Sequence, residues 1–336
     1  MSIEIKKYDI NGVKGTRWTC ETNEEWRHER AHSIGASAVG TLLGASPYRT
    51  PLALAERMRA ELRGEFDYTE TLAMKRGHAY EGGVADLFEW MTGHQVIQSS
   101  SSEYLLRRDD IPFLHASPDR TYWIDENGQK HGKFAEQNKG ILECKTTSMP
   151  IDPDNLPLSW IFQLQVQMGT SGYHQGCIAW DVLTSRDGFG FQFVPFDEKV
   201  YNSIVDICRD FWDNVIIAGN NPEPVNNDDI VRLYPRHIEG KTLTASADLQ
   251  QKLATIKEMK ATEKELKDEI DTLSNEVKAA FTDAEAMIDL DGKVLATYKA
   301  SAGRSSVDSK KLKADFPEAY EACLKQSAGS RTLLIK

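Results

Sequence analysis

Gly140-Ile141-Leu142-Glu143-Cys144-Lys145-Thr146-Thr147 reads as a strand that carries an acid, one spacer and a lysine. On a strand alternate side chains share a face, so Glu143 and Lys145 stand side by side while Leu142 and Cys144 point the other way. A carboxylate can ligate a divalent cation, and a lysine beside it can hold, donate or remove a proton near the same phosphate. The triplet alone also suits a solvated strand face. It gains meaning from Ala116-Ser117-Pro118-Asp119-Arg120 upstream and Gln163-Leu164-Gln165-Val166-Gln167 downstream.

Composition bounds the answer. A chain of 336 residues, 40% hydrophobic and 27% charged, is long enough for a full core and either one large domain with an appendage or two domains. No run of about 18 apolar residues occurs, so no membrane span is expected. Met1-Ser2-Ile3-Glu4-Ile5-Lys6-Lys7 lacks the apolar core of a signal peptide. The cysteines at 20, 144, 177, 208 and 323 are scattered and never spaced as CxxC, which fits a reducing cytoplasm and neither a disulfide framework nor a zinc site. A net charge of −11 speaks against a basic coat for non-specific nucleic-acid binding. It leaves nucleic acid open as a substrate, because a metal nuclease must itself gather carboxylates.

In order along the chain, residues 1–22 suggest an edge hairpin turning at Asn11-Gly12, followed by a polar helix capped by Thr22 or Asn23. Ser33 to Gly44 reads as a tight glycine-containing turn feeding a helix that starts near Ser37. Ser37 would be an N-cap or first-turn hydroxyl at an anion-attracting helix start, with Arg30 seven residues earlier supplying charge. The plain alternative is a simple cap and a surface arginine. Residues 70–92 form a helix with an apolar stripe of Leu72, Tyr80, Val84, Leu87, Phe88 and Met91. Glu81 adjoins that stripe and, if partly buried, needs a basic residue or a metal as partner.

Strands are expected from 94 to 150, with turns such as Asn127-Gly128, and Asp119 follows the Ser-Pro turn at a strand end. Trp160 to Met168 alternates in a manner that also suits a strand. Helix is favoured over 157–171, because Pro157 suits a start and Ser171-Gly172 a stop. Gln165 would then offer a neutral amide able to orient a water or a ligated carboxylate. A hairpin and an amphipathic helix over 197–218 complete a domain of residues 1–218. Residues 219–245 read as linker. Residues 246–336 hold a long charged helix (an arm, a helical hairpin or a helix packed on the core) and a small β-rich module, with a strand expected over Arg331 to Lys336.

The ordered set of Glu81, Asp119, Glu143-x-Lys145 and a glutamine-bearing helix supplies what phosphodiester hydrolysis with Mg²⁺ requires. Hard oxygen ligands gather one or two cations, and a lysine near the attacking water acts as base or balances charge.

The same motifs, with Ile34-Gly35-Ala36-Ser37, Ser46-Pro47-Tyr48 and Arg76-Gly77-His78-Ala79-Tyr80-Glu81, resemble the YqaJ-type viral recombinases. These are relatives of phage lambda exonuclease within the PD-(D/E)xK superfamily, and the resemblance covers about residues 24–215. It implies an α/β (α+β) fold: a restriction-endonuclease-like core with a central mixed sheet flanked by helices, then a C-terminal helical arm and β-rich tail. It implies a Mg²⁺-dependent 5′→3′ exonuclease (Mn²⁺ substituting) on double-stranded DNA ends. That activity would leave a 3′ single strand for an annealing partner of the lambda Beta or RecT kind. By motif match, Asp119, Glu143 and the Cys144 carbonyl would ligate the metal, with Glu81 completing the second-metal environment. Lys145 would serve the nucleophilic water and Gln165 would orient it. Arg30, Ser37 and Ser117 would hold the terminal 5′-phosphate, and Met74 would wedge between end bases. A homotrimer around DNA, in the host cytoplasm, is the implied state.

Two departures stand out. Arg120 occupies a place that is usually glycine, and the segment 125–139 is longer than in lambda exonuclease. The competing readings are a PD-(D/E)xK endonuclease and a non-catalytic DNA-end-binding assembly protein. The intact Asp119, Glu143 and Lys145 set argues against the second.

Overall fold

A computed structural model describes residues 3–67, 69–98, 104–124, 135–325 and 331–335. The turn expected at Asn127-Gly128, with most of the longer segment around it, lies outside the described residues. The chain divides into two compact units, 1–229 and 230–336. The division falls inside the stretch read as linker.

The first unit opens with β1 (Glu4–Ile10) and β2 (Val13–Thr19), an antiparallel hairpin. Asn11 and Gly12 have φ of 51° and 83°, the left-handed backbone that a two-residue turn of this hand demands. In α1 (Asn23–Ala31) Thr22 and Glu25 form a full capping box. Next come β3 (Ile34–Gly35), a 3₁₀ turn (Ala36–Ala38) and α2 (Val39–Leu42). Ser37 is therefore not an N-cap. Gly35 precedes the turn, no side chain caps it, and Ser37 lies exposed inside it. The remaining elements are α3 (Pro51–Leu62), α4 (Leu72–Thr92), β4 (Val96–Gln98), β5 (Tyr104–Arg108), β6 (Leu114–Ala116), β7 (Arg120–Trp123) and β8 (Lys139–Thr147). They continue with α5 (Leu158–Ser171), β9 (Gln175–Val182), β10 (Phe189–Pro195) and α6 (Glu198–Asp210), which runs on as a π-helical turn to Ile217.

The strands form two mixed sheets. One has the order β1-β2-β5-β6-β3, parallel only at β6–β3, and the other β10-β9-β8-β7-β4, parallel only at β8–β9. The mixed character matches the expectation, but it is shared between two sheets. Helix α5 explains the split, because it touches β2, β5 and β6 of the first sheet and β8 and β9 of the second. Every residue from Leu164 to Ser171 is buried. Such a helix must be apolar or hydrogen-bonded on every side. Val166 packs with Ile34, Leu114 and Tyr201, whereas Leu164 and Met168 pack with Ile141, Ile178 and Trp180. Its ends are as expected, with Pro157 before the first turn and Gly172 left-handed (φ 87°) after the last. On the far side of the second sheet, Val84, Ala85 and Phe88 of α4 cover Tyr122, Leu142, Cys177 and Ala179. Strand β8 is thus covered on both faces, which is why its alternation decides what each residue meets.

Helix α7 (Asn227–Leu233) spans the division. Asp229 is buried, accepts from Thr50 Oγ1 at 2.7 Å and from Val225 N at 3.1 Å, and so ties the end of the first unit to the start of α3. In the second unit α8 (Ala247–Phe281) is one unbroken helix capped by Ser246, so the hairpin alternative for this stretch is excluded. Phe281 is buried and meets the Tyr298 ring at 5.8 Å. β11 (Ala286–Ile288) and β12 (Val294–Thr297) form a hairpin, followed by α9 (Ser309–Asp315) and α10 (Pro317–Ala322). Arg331 to Ile335 is not a strand. Arg331 instead donates to the Tyr234 carbonyl at 3.1 Å.

The close approach of α5 and α6 yields a stability test. A methyl at Gly169 would lie 2.4 Å from the Tyr201 ring, itself fully buried. Gly169→Ala should cost about 1–3 kcal/mol by overpacking. The urea midpoint should fall with the slope unchanged.

Candidate active site

The second sheet and α5 assemble the site. On β8 the side chains of Ile141, Glu143 and Lys145 face α5, and Leu142 and Cys144 face α4. Glu143 is 2% exposed, and a carboxylate this deep needs donors on both oxygens. Its Oε1 receives Lys145 Nζ at 2.6 Å and Gln163 Nε2 at 2.6 Å, and its Oε2 receives Gln167 Nε2 at 2.6 Å. Gln163 Oε1 accepts in turn from Lys145 Nζ at 2.9 Å. Acid, lysine and Gln163 form one closed ring of hydrogen bonds, and Gln167 joins it through its amide nitrogen, leaving its buried Oε1 without a partner.

This corrects the reading of Gln165. In a helix, residues four apart share a face and residues two apart lie on nearly opposite sides. Gln163 and Gln167 therefore meet Glu143 together, and Gln165 points away. Gln165 donates to the Pro195 carbonyl at 2.9 Å and accepts from Asp197 N at 2.8 Å, joining the end of β10 to the cap of α6. Within Gln163-Leu164-Gln165-Val166-Gln167 the helical period alone identifies the two glutamines that face the acid.

Asp119 is held by the turn before β7. Tyr104 donates its hydroxyl to the Pro118 carbonyl at 2.6 Å, and Ser117 Oγ donates to the Tyr104 carbonyl at 2.7 Å. The Ser117 hydroxyl has a single proton, which is committed to that bond, so this side chain first serves the turn. Asp119 Oδ2 accepts from Cys144 N at 2.9 Å, which brings the aspartate to the middle of the Glu143-x-Lys145 triplet. Burial and then the Glu143 charge push the Asp119 carboxyl well above the usual aspartate range. Burial opposes the charged form of Lys145, but Glu143 and Asp119 outweigh it and its pKa lies above the ordinary lysine value.

Glu81 stands apart from this group. Arg120 shares the Tyr122 side of β7, the side of α4, and there forms an ion pair with Glu81 Oε1. The same guanidinium nitrogen donates to the Asp119 carbonyl at 2.7 Å. Among the described residues no three acidic, histidine or cysteine side chains are grouped as ligands of one ion. The reason is local: Glu143 is engaged from the α5 side, and Glu81 is engaged by Arg120 from the α4 side. The donor chemistry nonetheless fits a hard divalent cation at Asp119 and Glu143. Two carboxylates press on each other, one is held above its normal pKa, and the Cys144 carbonyl follows Glu143 directly along the strand.

A second cluster surrounds Arg30 near the end of α1. Its guanidinium lies over the Trp26 ring at 4.2 Å, and its Nε donates to His115 Nε2 at 3.4 Å. His115 Nδ1 meets Ser33 Oγ at 2.8 Å. Gly35 and His115 are register partners in the parallel pair β3–β6, and Ser37 and Ser117 each follow two residues later. Both serines thus leave the same end of two paired strands. Met74 lies 38% exposed in the first turn of α4. His115 carried no sequence signal beyond its place in a strand.

An Asp just before one strand, Glu-x-Lys on its antiparallel neighbour and helices on both faces form the arrangement expected from the resemblance to PD-(D/E)xK domains. Residues 25–174 match the family model described as the YqaJ-like viral recombinase domain. The chain is similar to the Bacillus subtilis (strain 168) protein called uncharacterized protein YqaJ, 25% identical over 314 residues, 91% of this chain and 92% of that one. Among solved structures it is similar to an alkaline exonuclease (LHK-Exo) from Laribacter hongkongensis, at 17% identity and a TM-score of 0.45. That match covers 58% of this chain and 93% of the other. A phage-related exonuclease from Haemophilus somnus 129PT matches at 11% identity and a TM-score of 0.39, over 56% of this chain and 96% of that one.

The crowded carboxylates give the site a measurable cost. Asp119→Asn should raise the melting temperature in EDTA, by about 1–3 kcal/mol of added stability, because it removes a buried acid that the Glu143 charge opposes more than its own partners favour. Added divalent cation should raise the Tm of the wild type and leave this variant unmoved.

Titration of His115 gives a second test. Burial, then Arg30 and Arg107, hold its pKa well below the ordinary histidine value. The unfolded chain takes up a proton below about pH 6.5 while the folded one does not, so the associated stability is complete above that pH and lost as pH falls. Urea titrations at about pH 7.5 and 5 should show the wild type losing more stability than His115→Gln. Parallel losses would contradict the assignment.

Proposed function

We propose that this protein is a Mg²⁺-dependent exonuclease acting 5′→3′ on linear double-stranded DNA, to yield 3′ single strands for annealing-type recombination. The single observation carrying this reading is the buried Glu143–Lys145 pair, with Asp119 hydrogen-bonded between them at Cys144 N. A fold seldom gathers two carboxylates and a lysine in one partly closed site unless they meet a charged substrate. A divalent cation at Asp119, Glu143 and the Cys144 carbonyl would supply charge for the phosphate and a water of lowered pKa.

The chain's own side chains do the rest. Gln163 and Gln167 fix the Glu143 carboxylate, so that it offers its oxygens in one orientation. Lys145 remains charged near neutrality and is suited to stabilising negative charge that develops on the phosphate. Arg30 and Ser37 would meet the terminal 5′-phosphate, and Met74 the end bases. Arg120 shares Glu81 with any second cation, so Glu81 must leave that ion pair in order to ligate. A homotrimer encircling duplex DNA and an annealing-protein partner accompany this reading.

Digestion of linear duplexes with 5′-phosphate or 5′-hydroxyl ends, with Mg²⁺ and with EDTA, tests it. Mg²⁺-dependent mononucleotide release from phosphorylated ends is expected, with closed circles spared. Glu143→Gln and Lys145→Ala should each lose at least about a hundredfold in rate, a typical loss for an electrostatic or acid–base group. Cutting of closed circles would make the protein an endonuclease instead. No cleavage with any divalent metal would remove the catalytic reading.

A further inference from the structure

We propose that Arg120 stands where a second cation would otherwise sit, so that this site holds one divalent ion and not two. The inference rests on the metal-dependent reading above and narrows it. Glu81 belongs to the arginine, and Asp119 and Glu143 are left with the cation.

The geometry carries the argument. One nitrogen of the Arg120 guanidinium, Nη1, donates both to Glu81 Oε1 and, at 2.7 Å, to the Asp119 carbonyl. Such a nitrogen carries two N–H groups, so each meets one oxygen. A carboxylate oxygen and a backbone carbonyl converging on one point are the ligand types that a hard divalent cation selects. The guanidinium therefore brings positive charge to that point without a metal. Its bond to Glu81 is charge-assisted, and the two side chains are only 17% and 24% exposed, so water and salt screen the pair incompletely.

The surrounding elements keep the arginine there. The backbone of Arg120 is paired on both sides, with Gln98 of β4 and Leu142 of β8, so the residue cannot swing out of the sheet. Asp119, its neighbour, is held by Cys144 N at 2.9 Å. Helix α4 lies along the same face of β8. A methyl at Gly77 would come 4.0 Å from Thr146 Oγ1, and Val84, Ala85 and Phe88 cover Leu142. Glu81 lies one turn beyond Gly77 on that face, so helix packing delivers its carboxylate to the guanidinium. A second dication at Glu81 would either displace a tethered arginine and leave its charge unpaired, or lie against it. Loss of an ion pair opposes the first and like-charge repulsion the second. Glu143 escapes this competition because its side chain faces α5, on the other side of the strand.

The test counts bound cations. Isothermal titration calorimetry and electron paramagnetic resonance with Mn²⁺ are run on the full chain, alone and with a 5′-phosphorylated duplex whose end linkages are phosphorothioates. Each variant is checked for folding by its melting curve. Wild type should take one Mn²⁺ per chain in both states. Arg120→Met keeps the length, removes the charge and frees Glu81, and with the duplex it should take two. The order of the cleavage rate in Mg²⁺ should move with it, from near one in wild type to near two in the variant. Glu81→Gln should still bind one Mn²⁺, with Kd within about tenfold of wild type, the upper scale for one partly screened charge. Two ions in wild type, or one in a folded Arg120→Met with the duplex present, overturns the proposal. If Arg120→Met does not fold, Glu81→Gln decides, and a larger loss of affinity overturns the proposal by showing that Glu81 ligates the ion that binds. No Mn²⁺ on the wild type removes this inference together with the metal reading. One bound ion without cleavage of any duplex removes the nuclease reading alone, and two bound ions with Mg²⁺-dependent cleavage remove the present inference alone.

Discussion

Burying the Glu143 carboxylate is the constraint on which the first unit depends. A charge at 2% exposure is tolerable only if every lone pair meets a donor. One donor comes from two residues along the same strand, and two come from a different element. Helix α5 must therefore run directly against β8 with its Gln163–Gln167 edge turned inward, and no sideways shift or rotation of the helix would preserve those bonds. The same helix fills the space between the two sheets, so the polar network and the apolar core share one register. Leu164, Val166 and Met168 do the packing and the intervening glutamines do the solvation.

The opposite face of β8 shows a different balance. There Arg120 answers Glu81 and also reaches the Asp119 carbonyl, so one guanidinium joins α4 to the turn that presents Asp119. The arginine at position 120 is consequential, because it sets a fixed positive charge beside the Asp119 and Glu143 carboxylates. The remaining stress falls on Asp119, which stays crowded by Glu143 and partly withdrawn from water. Such crowding of a buried ionisable group is the kind of perturbation that clusters at functional sites.

Much of this was legible in residue order. Alternation along 140–147 separated Glu143 and Lys145 from Leu142 and Cys144 before any coordinates, and the hairpin at Asn11-Gly12 and the limits of α5 followed from turn and cap chemistry. Gln165 was carried over by motif match, whereas the helical period turns Gln163 and Gln167 to Glu143 and points Gln165 toward Pro195 and Asp197. Of the two places offered for Ser37, cap or first turn, the structure gives the second: the pairing of β3 with β6 draws Gly35 into a strand, and the chain tightens into a 3₁₀ turn before a regular helix can begin.

Sequence by itself determined the elements and the pairing of chemistry within each, since period and capping are local properties of a few neighbouring residues. It also delimited the acidic and basic candidates, because few residue types can perform that chemistry. Tertiary structure alone decided which candidates meet. Gln163 and Gln167 reach Glu143 from twenty and twenty-four residues away, Arg120 takes Glu81 from thirty-nine, and His115 lies behind Arg30 from eighty-five. Those contacts depend on sheet order and on the rotation of a buried helix, which arise from packing the whole unit and leave no trace in local pattern.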